Sequence, residues 1–161
     1  MQRITPCFWF NFNALDAVNF YLRVFPDSCI THITYYGNEI PQHAGKVLLI
    51  EFILAGQSYQ ALNGGPNFKF NEAISLSVDC ADQAEVDRLW HALIADGGAP
   101  SDCGWLKDKF GLSWQIVPRV MWEIMHSPDK IAVGRAFAAM MTMQKLNVDA
   151  LTNAFRGGVN H

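Results

Sequence analysis

Apolar and polar positions along the first half of the chain follow two rhythms. Residues 4–12, 29–36, 47–54 and 57–62 are rich in β-branched and aromatic side chains and read as strands. Between the first two, Val18, Tyr21, Leu22 and Phe25 fall at i, i+3, i+4 and i+7, which predicts a helix over 15–25 with one apolar face. Asn13 stands at the N-cap position with Asp16 in the first turn, and Pro26-Asp27-Ser28 ends the helix. A polar loop over 37–45 holds Pro41 and His43 and has the composition of a mobile segment. Ala55-Gly56 reads as a tight hairpin, so the order is βαβββ.

The same order returns after Asn63-Gly64-Gly65-Pro66 and a link over 67–71. A strand over 73–78 precedes a helix over 83–95 with Val86, Leu89, Trp90 and Leu93 on one face, stopped by Gly97-Gly98. Short strands over 100–103 and 105–107, a turn at Asp108-Lys109-Phe110-Gly111 and a strand over 113–117 complete the set. The closing strands repeat a phrase: Gly56-Gln57-Ser58-Tyr59-Gln60 and Gly111-Leu112-Ser113-Trp114-Gln115 both read Gly, any residue, Ser, aromatic, Gln. Repetition of this kind marks a repeated supersecondary unit. The reading is α+β, with βαβββ modules over 1–63 and 73–118 in one structural domain. A helical extension over 119–161 follows, with helices over 119–125, 130–142 and 148–155.

Strand alternation separates two faces. Ile74, Leu76 and Val78 are expected against a helix, leaving Ala73, Ser75 and Ser77 opposite. Tyr59, Ala61, Trp114 and Ile116 share one kind of face; Ser58, Gln60, Ser113 and Gln115 share the other. The polar face is either an ordinary wet sheet surface or the lining of a small-molecule concavity.

Composition narrows the classes. Half the residues are hydrophobic, 17% are charged and the net charge is −3, with no basic run, which argues for an ordered core and against nucleic acid. The best apolar run, 47–55, contains Glu51 and is too short to span a bilayer. The N-terminus lacks a basic-then-apolar leader, so no membrane and a cytoplasmic location are expected. Cys7, Cys29, Cys80 and Cys103 have no paired spacing and read as free thiols. His32, His43, His91, His126 and His161 are scattered and read as surface or satisfied side chains. Glu51, on a central strand, is a candidate general base or a salt-bridged glutamate. Cys103 is a candidate reactive thiol without a visible basic partner. Trp9, Trp105 and Trp114 are candidates for stacking on an aromatic ligand or for the core. Met140, Met141 and Met143 read as packing or interface residues.

Several phrases go further: Phe8-Trp9-Phe10, Phe20-Tyr21, Ala61-Leu62-Asn63-Gly64-Gly65-Pro66, Phe68-Lys69-Phe70, Val78-Asp79-Cys80 and Cys103-Gly104-Trp105-Leu106-Lys107-Asp108. With the doubled βαβββ order, they resemble the vicinal oxygen chelate superfamily of glyoxalase I, bleomycin-resistance proteins and extradiol dioxygenases. Within it, they resemble the PhnB-like branch labelled 3-demethylubiquinone-9 3-methyltransferase. The resemblance implies a glyoxalase-like fold of paired βαβββ modules forming curved mixed sheets around a concave site, in a homodimer. The superfamily's metal ligands would fall at Pro6, Ala73, Gln60 and Gln115, which are not a metal's usual donors. A site with no metal and no cofactor is therefore expected, lined by Gln60, Gln115, Ser58, Ser113, Ser75, Ser77 and Trp105. Paired about a pseudo-twofold axis, the modules would bring Gln60 and Gln115 to one pocket. The expected function is binding of a small polar or aromatic molecule. The alternative is an isomerase, lyase or transferase of the superfamily, including the methyltransferase of the label. A methyl-donor site needs a Gly-rich turn from strand to helix, a setting that Gly64-Gly65, Gly97-Gly98 and Gly157-Gly158 lack. Ala136, Met140 and Leu146 supply apolar faces for the homodimer.

Overall fold

A computed structural model describes residues 4–158, so His161 lies outside the described residues. The chain divides into two units, Met1–Phe70 and Asn71–His161.

In the first unit the elements are β1 (Cys7–Phe10), α1 (Ala14–Val24), β2 (Cys29–Tyr35), β3 (Val47–Leu54) and β4 (Gln57–Asn63). The sheet order is β1-β4-β3-β2, with β1 parallel to β4 and the rest antiparallel. β1 is shorter than the sequence suggests, because Phe12 turns left-handed at φ 60° on the way into α1. Alternation puts Phe8, Phe10, Ile50, Phe52, Leu54 and Ala61 on one buried face, and α1 supplies Ala17, Val18 and Tyr21 to the same core. Ala55 and Gly56 both have positive φ, 46° and 82°, as a two-residue hairpin turn of right-handed twist demands. The loop over 37–45 is closed at its neck by Tyr36 N–H to Lys46 O and Gly45 N–H to Tyr36 O, both 2.9 Å.

The helix cap departs from expectation. The Asn13 side chain makes no cap hydrogen bond. Its role passes to Asn63 at the end of β4: Oδ1 accepts from Ala14 N–H at 3.0 Å, and Nδ2 donates to Val47 O at 3.0 Å. Asn63 is 3% exposed, so Asn63→Ala would strand a buried helix donor and a strand carbonyl. We expect a loss of about 2–4 kcal/mol in urea unfolding, built from an uncapped helix end and an unmet acceptor. A change below about 0.5 kcal/mol, the scatter of ordinary surface substitutions, would show that water caps the helix instead.

Residues 64–70 fold back rather than simply linking the halves. Trp9 Nε1 donates to Gly65 O at 2.8 Å. A Cβ on Gly64 would lie 2.3 Å from the Trp9 ring, so only glycine fits beneath the indole. Phe70 meets Phe10 and Phe8 edge-on, at 5.3 and 6.2 Å between centroids.

The second unit repeats the plan: β5 (Ser75–Cys80), α2 (Gln83–Ile94), β6 (Ala99–Pro100), β7 (Trp105–Lys107) and β8 (Ser113–Pro118), in the order β5-β8-β7-β6 with β5 parallel to β8. All four apolar positions expected on α2 are buried. Its start is a reciprocal cap: Asp82 accepts from Glu85 N–H at 2.9 Å, and Glu85 accepts from Ala81 N–H at 2.8 Å. Ile74 does not pack on a helix; it precedes β5 and is 61% exposed, while Leu76 and Val78 are half-buried. The strand expected over 100–103 shrinks to Ala99–Pro100, because Cys103 and Gly104 turn left-handed at φ 58° and 84°.

The extension forms α3 (Arg119–Met125), α4 (Lys130–Met140) and α5 (Val148–Arg156). Its core is Val117, Met121, Ile124, Ala136, Leu146 and Leu151, with Met140 and Met143 packed against it. Ala136 and Leu146 are therefore buried in this core and offer no outer face for a dimer, while Met140 is half-buried against it. The exposed apolar side chains are Met125, Ile131, Phe137 and Met141, with Trp122 at the margin. Gln83 of α2 ties the extension down, donating to Leu146 O at 3.2 Å and accepting from Val148 N–H at 2.8 Å. Among the described residues no helix is long and apolar enough to cross a membrane.

Candidate functional site

Residues directly opposite in a sheet point to the same side. On the face of the first sheet turned away from the buried aromatics, register places Cys7, Gln60, Glu51 and His32 in one row across β1, β4, β3 and β2. An open cleft of about 680 Å³ lies on this unit, lined by Thr5, Thr31, Glu51, Ser58, Tyr59 and Gln60 among others. Gln60 and Glu51 are half-buried, and Ser58 and Cys7 are exposed. The first sheet thus brings together three of the expected residues, Gln60, Ser58 and Glu51.

The second sheet has the matching row Ser77, Gln115, Trp105, with Ser75, Ser113 and Lys107 in the row beside it. Gln115 Nε2 donates to Ser75 Oγ at 2.9 Å, so this amide is anchored within its own sheet. Ser113 is 1% exposed and its hydroxyl has no partner among the described residues; an unmet buried hydroxyl costs about 1–3 kcal/mol. Lys107 forms an ion pair with Glu72, and that hydrogen bond holds the Glu72 carboxyl below its usual range. The five expected residues of this unit, Gln115, Ser75, Ser77, Ser113 and Trp105, share one face.

Cys103 sits elsewhere. It lies in the turn before β7, its Sγ 3.6 Å from Met141 Sδ and its N–H donating to Met143 O at 2.7 Å. His43 is half-buried: its Nδ1 is buried and has no hydrogen-bond partner among the described residues, and its ring lies 4.6 Å from Phe12 and 5.4 Å from Tyr36. Trp114 is core, 1% exposed, with Nε1 donating to Asp108 Oδ2 at 2.9 Å.

Sequence reasoning missed Cys7, Lys107 and Glu72. Lys107 was findable, two residues from Trp105 on one strand and so on its face. Cys7 needed the parallel register. That register also revises the equivalence of the halves: Gln60 stands beside Cys7 and Gln115 beside Ser77, so Leu76 rather than Ala73 corresponds to Pro6.

The row of the first sheet holds a thiol, a carboxylate and an imidazole, the donor types a transition metal favours, but they stand on three different strands with Gln60 between Cys7 and Glu51. Among the described residues no three His, Cys, Asp or Glu side chains are placed to share one ion. A methyl-donor cofactor fares no better. Gly64 is occupied by the Trp9 contact, and Gly98 closes α2 against Leu93 O and Lys107 O, each 2.8 Å from where its Cβ would be.

Residues 2–117 match the sequence profile described as 3-demethylubiquinone-9 3-methyltransferase. The chain belongs to this family. Among solved structures it is similar to a PhnB protein from Bacillus cereus, 35% identical with a TM-score of 0.66 over 73% of this chain and 99% of that one. It is also similar to protein PA1353 from Pseudomonas aeruginosa, 21% identical with a TM-score of 0.59 over 73% and 98%. A glyoxylase/bleomycin resistance protein/dioxygenase domain from Frankia sp. is 13% identical, with a TM-score of 0.45 over 71% and 94%. No curated protein matches. The family match ends at the close of the second βαβββ module, so α3, α4 and α5 lie beyond it.

Val78-Asp79-Cys80, one of the family phrases, carries a buried thiol. Burial first, then the Glu85 and Asp79 carboxylates, push Cys80 from 9.0 up to about 12. An unfolded thiol ionises near 9, so the folded state is favoured fully below that pH and loses this contribution as pH rises toward 12. At pH 8, iodoacetamide should modify the exposed Cys7 and Cys29 and leave Cys80 intact until denaturant is added. Peptide mass mapping that finds Cys80 alkylated as fast as Cys7 in native protein would contradict this.

Proposed function

We propose that the protein binds a small polar or aromatic molecule on the open faces of its sheets without a metal ion, and works as a cytoplasmic homodimer. The observation that carries the reading is the row Cys7–Gln60–Glu51 beside the cleft of the first unit. A neutral amide offers a donor and an acceptor to a ligand but no charge for a cation. The repeat of that amide at Gln115, beside Ser77 and Trp105, supports a shared binding role. Native mass spectrometry of protein purified from its source should find a retained small molecule, lost in Gln60→Ala. One equivalent of Zn, Ni, Mn or Fe on elemental analysis would overturn the metal-free reading.

Glu51 supports a second reading, an enzyme of the same fold. Its carboxylate lines the cleft beside Gln60, where it can take a proton from a bound molecule. Here Glu51→Gln keeps ligand retention and abolishes turnover. Methyl transfer, named in the family description, has less support, because among the described residues no glycine pair stands at a strand-to-helix turn. For the dimer, the support is the exposed Met125, Ile131, Phe137 and Met141 of the extension. Sedimentation equilibrium showing only monomer at micromolar concentration would count against it.

A further inference from the structure

We propose that the open face of the second sheet holds a carboxylate subsite built by Lys107, Ser113 and Trp105, in which Glu72 is the protein's own stand-in for the ligand. This rests on the reading that the open faces bind small molecules. The three side chains share a face by register: Lys107 is the direct neighbour of Ser113 on β8, and Trp105 lies two residues along β7. With Glu72, Pro100 and Ser101 they line a cavity of about 210 Å³.

Two features point to an anionic oxygen. Ser113 is buried with its hydroxyl unpartnered among the described residues, and a hydroxyl in that state needs an acceptor to donate to. Lys107 already has a carboxylate on its ammonium, but the carboxylate belongs to Glu72, which precedes β5 and is mostly exposed. An exposed ion pair contributes little, so an incoming carboxylate exchanges for it at small cost. One ligand oxygen then takes the place of the Glu72 oxygen on Lys107 Nζ, and the other accepts from Ser113 Oγ. Trp105 offers an indole surface to whatever carries the carboxylate.

Size and charge narrow the class. Drug-sized ligands occupy about 300–1,000 Å³, so this cavity suits a monocyclic or short-chain acid. One lysine with a glutamate beside it favours a monoanion over a phosphate dianion, which the nearby carboxylate repels.

The test is titration of the full chain at pH 7 with benzoate and with its neutral isostere benzamide, followed by amide NMR shifts. Benzoate should bind at least about tenfold more tightly than benzamide, the usual effect of a hydrogen bond to a charged group. Lys107→Met should remove that preference, and Ser113→Ala should weaken benzoate about tenfold. Glu72→Gln removes the competitor and should strengthen benzoate binding. Unchanged NMR dispersion shows that each variant is folded. Equal binding of the two probes, no binding of either, or weaker benzoate binding in Glu72→Gln would overturn the subsite. The broader reading fails separately. A retained uncharged metabolite without benzoate binding leaves that reading standing and removes the subsite. Benzoate binding with no retained metabolite keeps the subsite and removes the claim that Gln60 of the first unit holds a resident molecule.

Discussion

Replacing Asp108 with alanine should destabilise the protein by about 3–5 kcal/mol, because one buried carboxylate organises the whole turn into β8. Asp108 is 3% exposed. Its Oδ1 accepts from Phe110 N–H at 2.8 Å and Leu112 N–H at 3.1 Å, and its Oδ2 accepts from the Trp114 indole at 2.9 Å. Alanine leaves three donors without an acceptor, each costing about 1–3 kcal/mol when buried; water relieves part of this at half-buried Phe110. Asp108→Asn is the informative control. Its oxygen still serves the two backbone donors, but its amide then faces the indole N–H, donor to donor. That variant should lose about 1–3 kcal/mol, one bond's worth. Urea unfolding followed by tryptophan fluorescence measures both. A loss below about 1 kcal/mol for alanine would mean that the turn holds without the carboxylate.

The second large effect lies where the extension meets the second sheet. Leu146 is 1% exposed, in the core with Val117, Met121, Ile124, Ala136 and Leu151. Leu146→Ala should cost about 3–4 kcal/mol, within the range for buried leucines. Gly104 makes this site unusual. Its φ is +84°, and a Cβ there would lie 3.0 Å from the Leu146 side chain and 3.1 Å from Ile116 O. Gly104→Ala should therefore lose about 2–3 kcal/mol from crowding and backbone strain. The double variant should be less damaged than the two singles added together, with a coupling of about 1 kcal/mol, because the shortened side chain makes room for the new methyl. Strict additivity in the four urea curves would show that the two residues do not press on each other.

Local signals in the sequence found the helices and most strands, and long-range geometry hid the rest. The face of α2 was legible because Val86, Leu89, Trp90 and Leu93 repeat at the helical period and all are buried. The hairpin at Ala55-Gly56 was legible because turn chemistry is local. The cap of α1 was not, since its acceptor comes from Asn63, 49 residues away. Alternation separates the polar faces, but it places Ser113 with Ser58 and gives no sign that Ser113 is buried while Ser58 is exposed. Nor does alternation reveal register, so the partnership of Gln60 with Cys7 was invisible, and Ala73 was matched to Pro6 in place of Leu76. Apolar residues of the extension announced burial without saying against what, which is why Ala136 and Leu146 looked like interface.

Both sheets add their own first strand beside their last. Contacts that secure this closure reach far along the chain: Trp9 to Gly65 spans 56 residues, and Ser75 to Gln115 spans 40. The strands between them pair with their sequence neighbours, across the 37–45 loop and the Ala55-Gly56 turn, so β2, β3 and β4 can zip while β1 waits. Contacts of such separation raise the contact order and slow the final step of folding. On the ribosome the wait is longer still. Phe8, Trp9 and Phe10 are made dozens of residues before Ala61, Leu62 and Asn63, their partners in β4. A growing chain therefore carries an apolar, unpaired strand through much of the synthesis of its first half, the condition under which edge strands aggregate and chaperones bind.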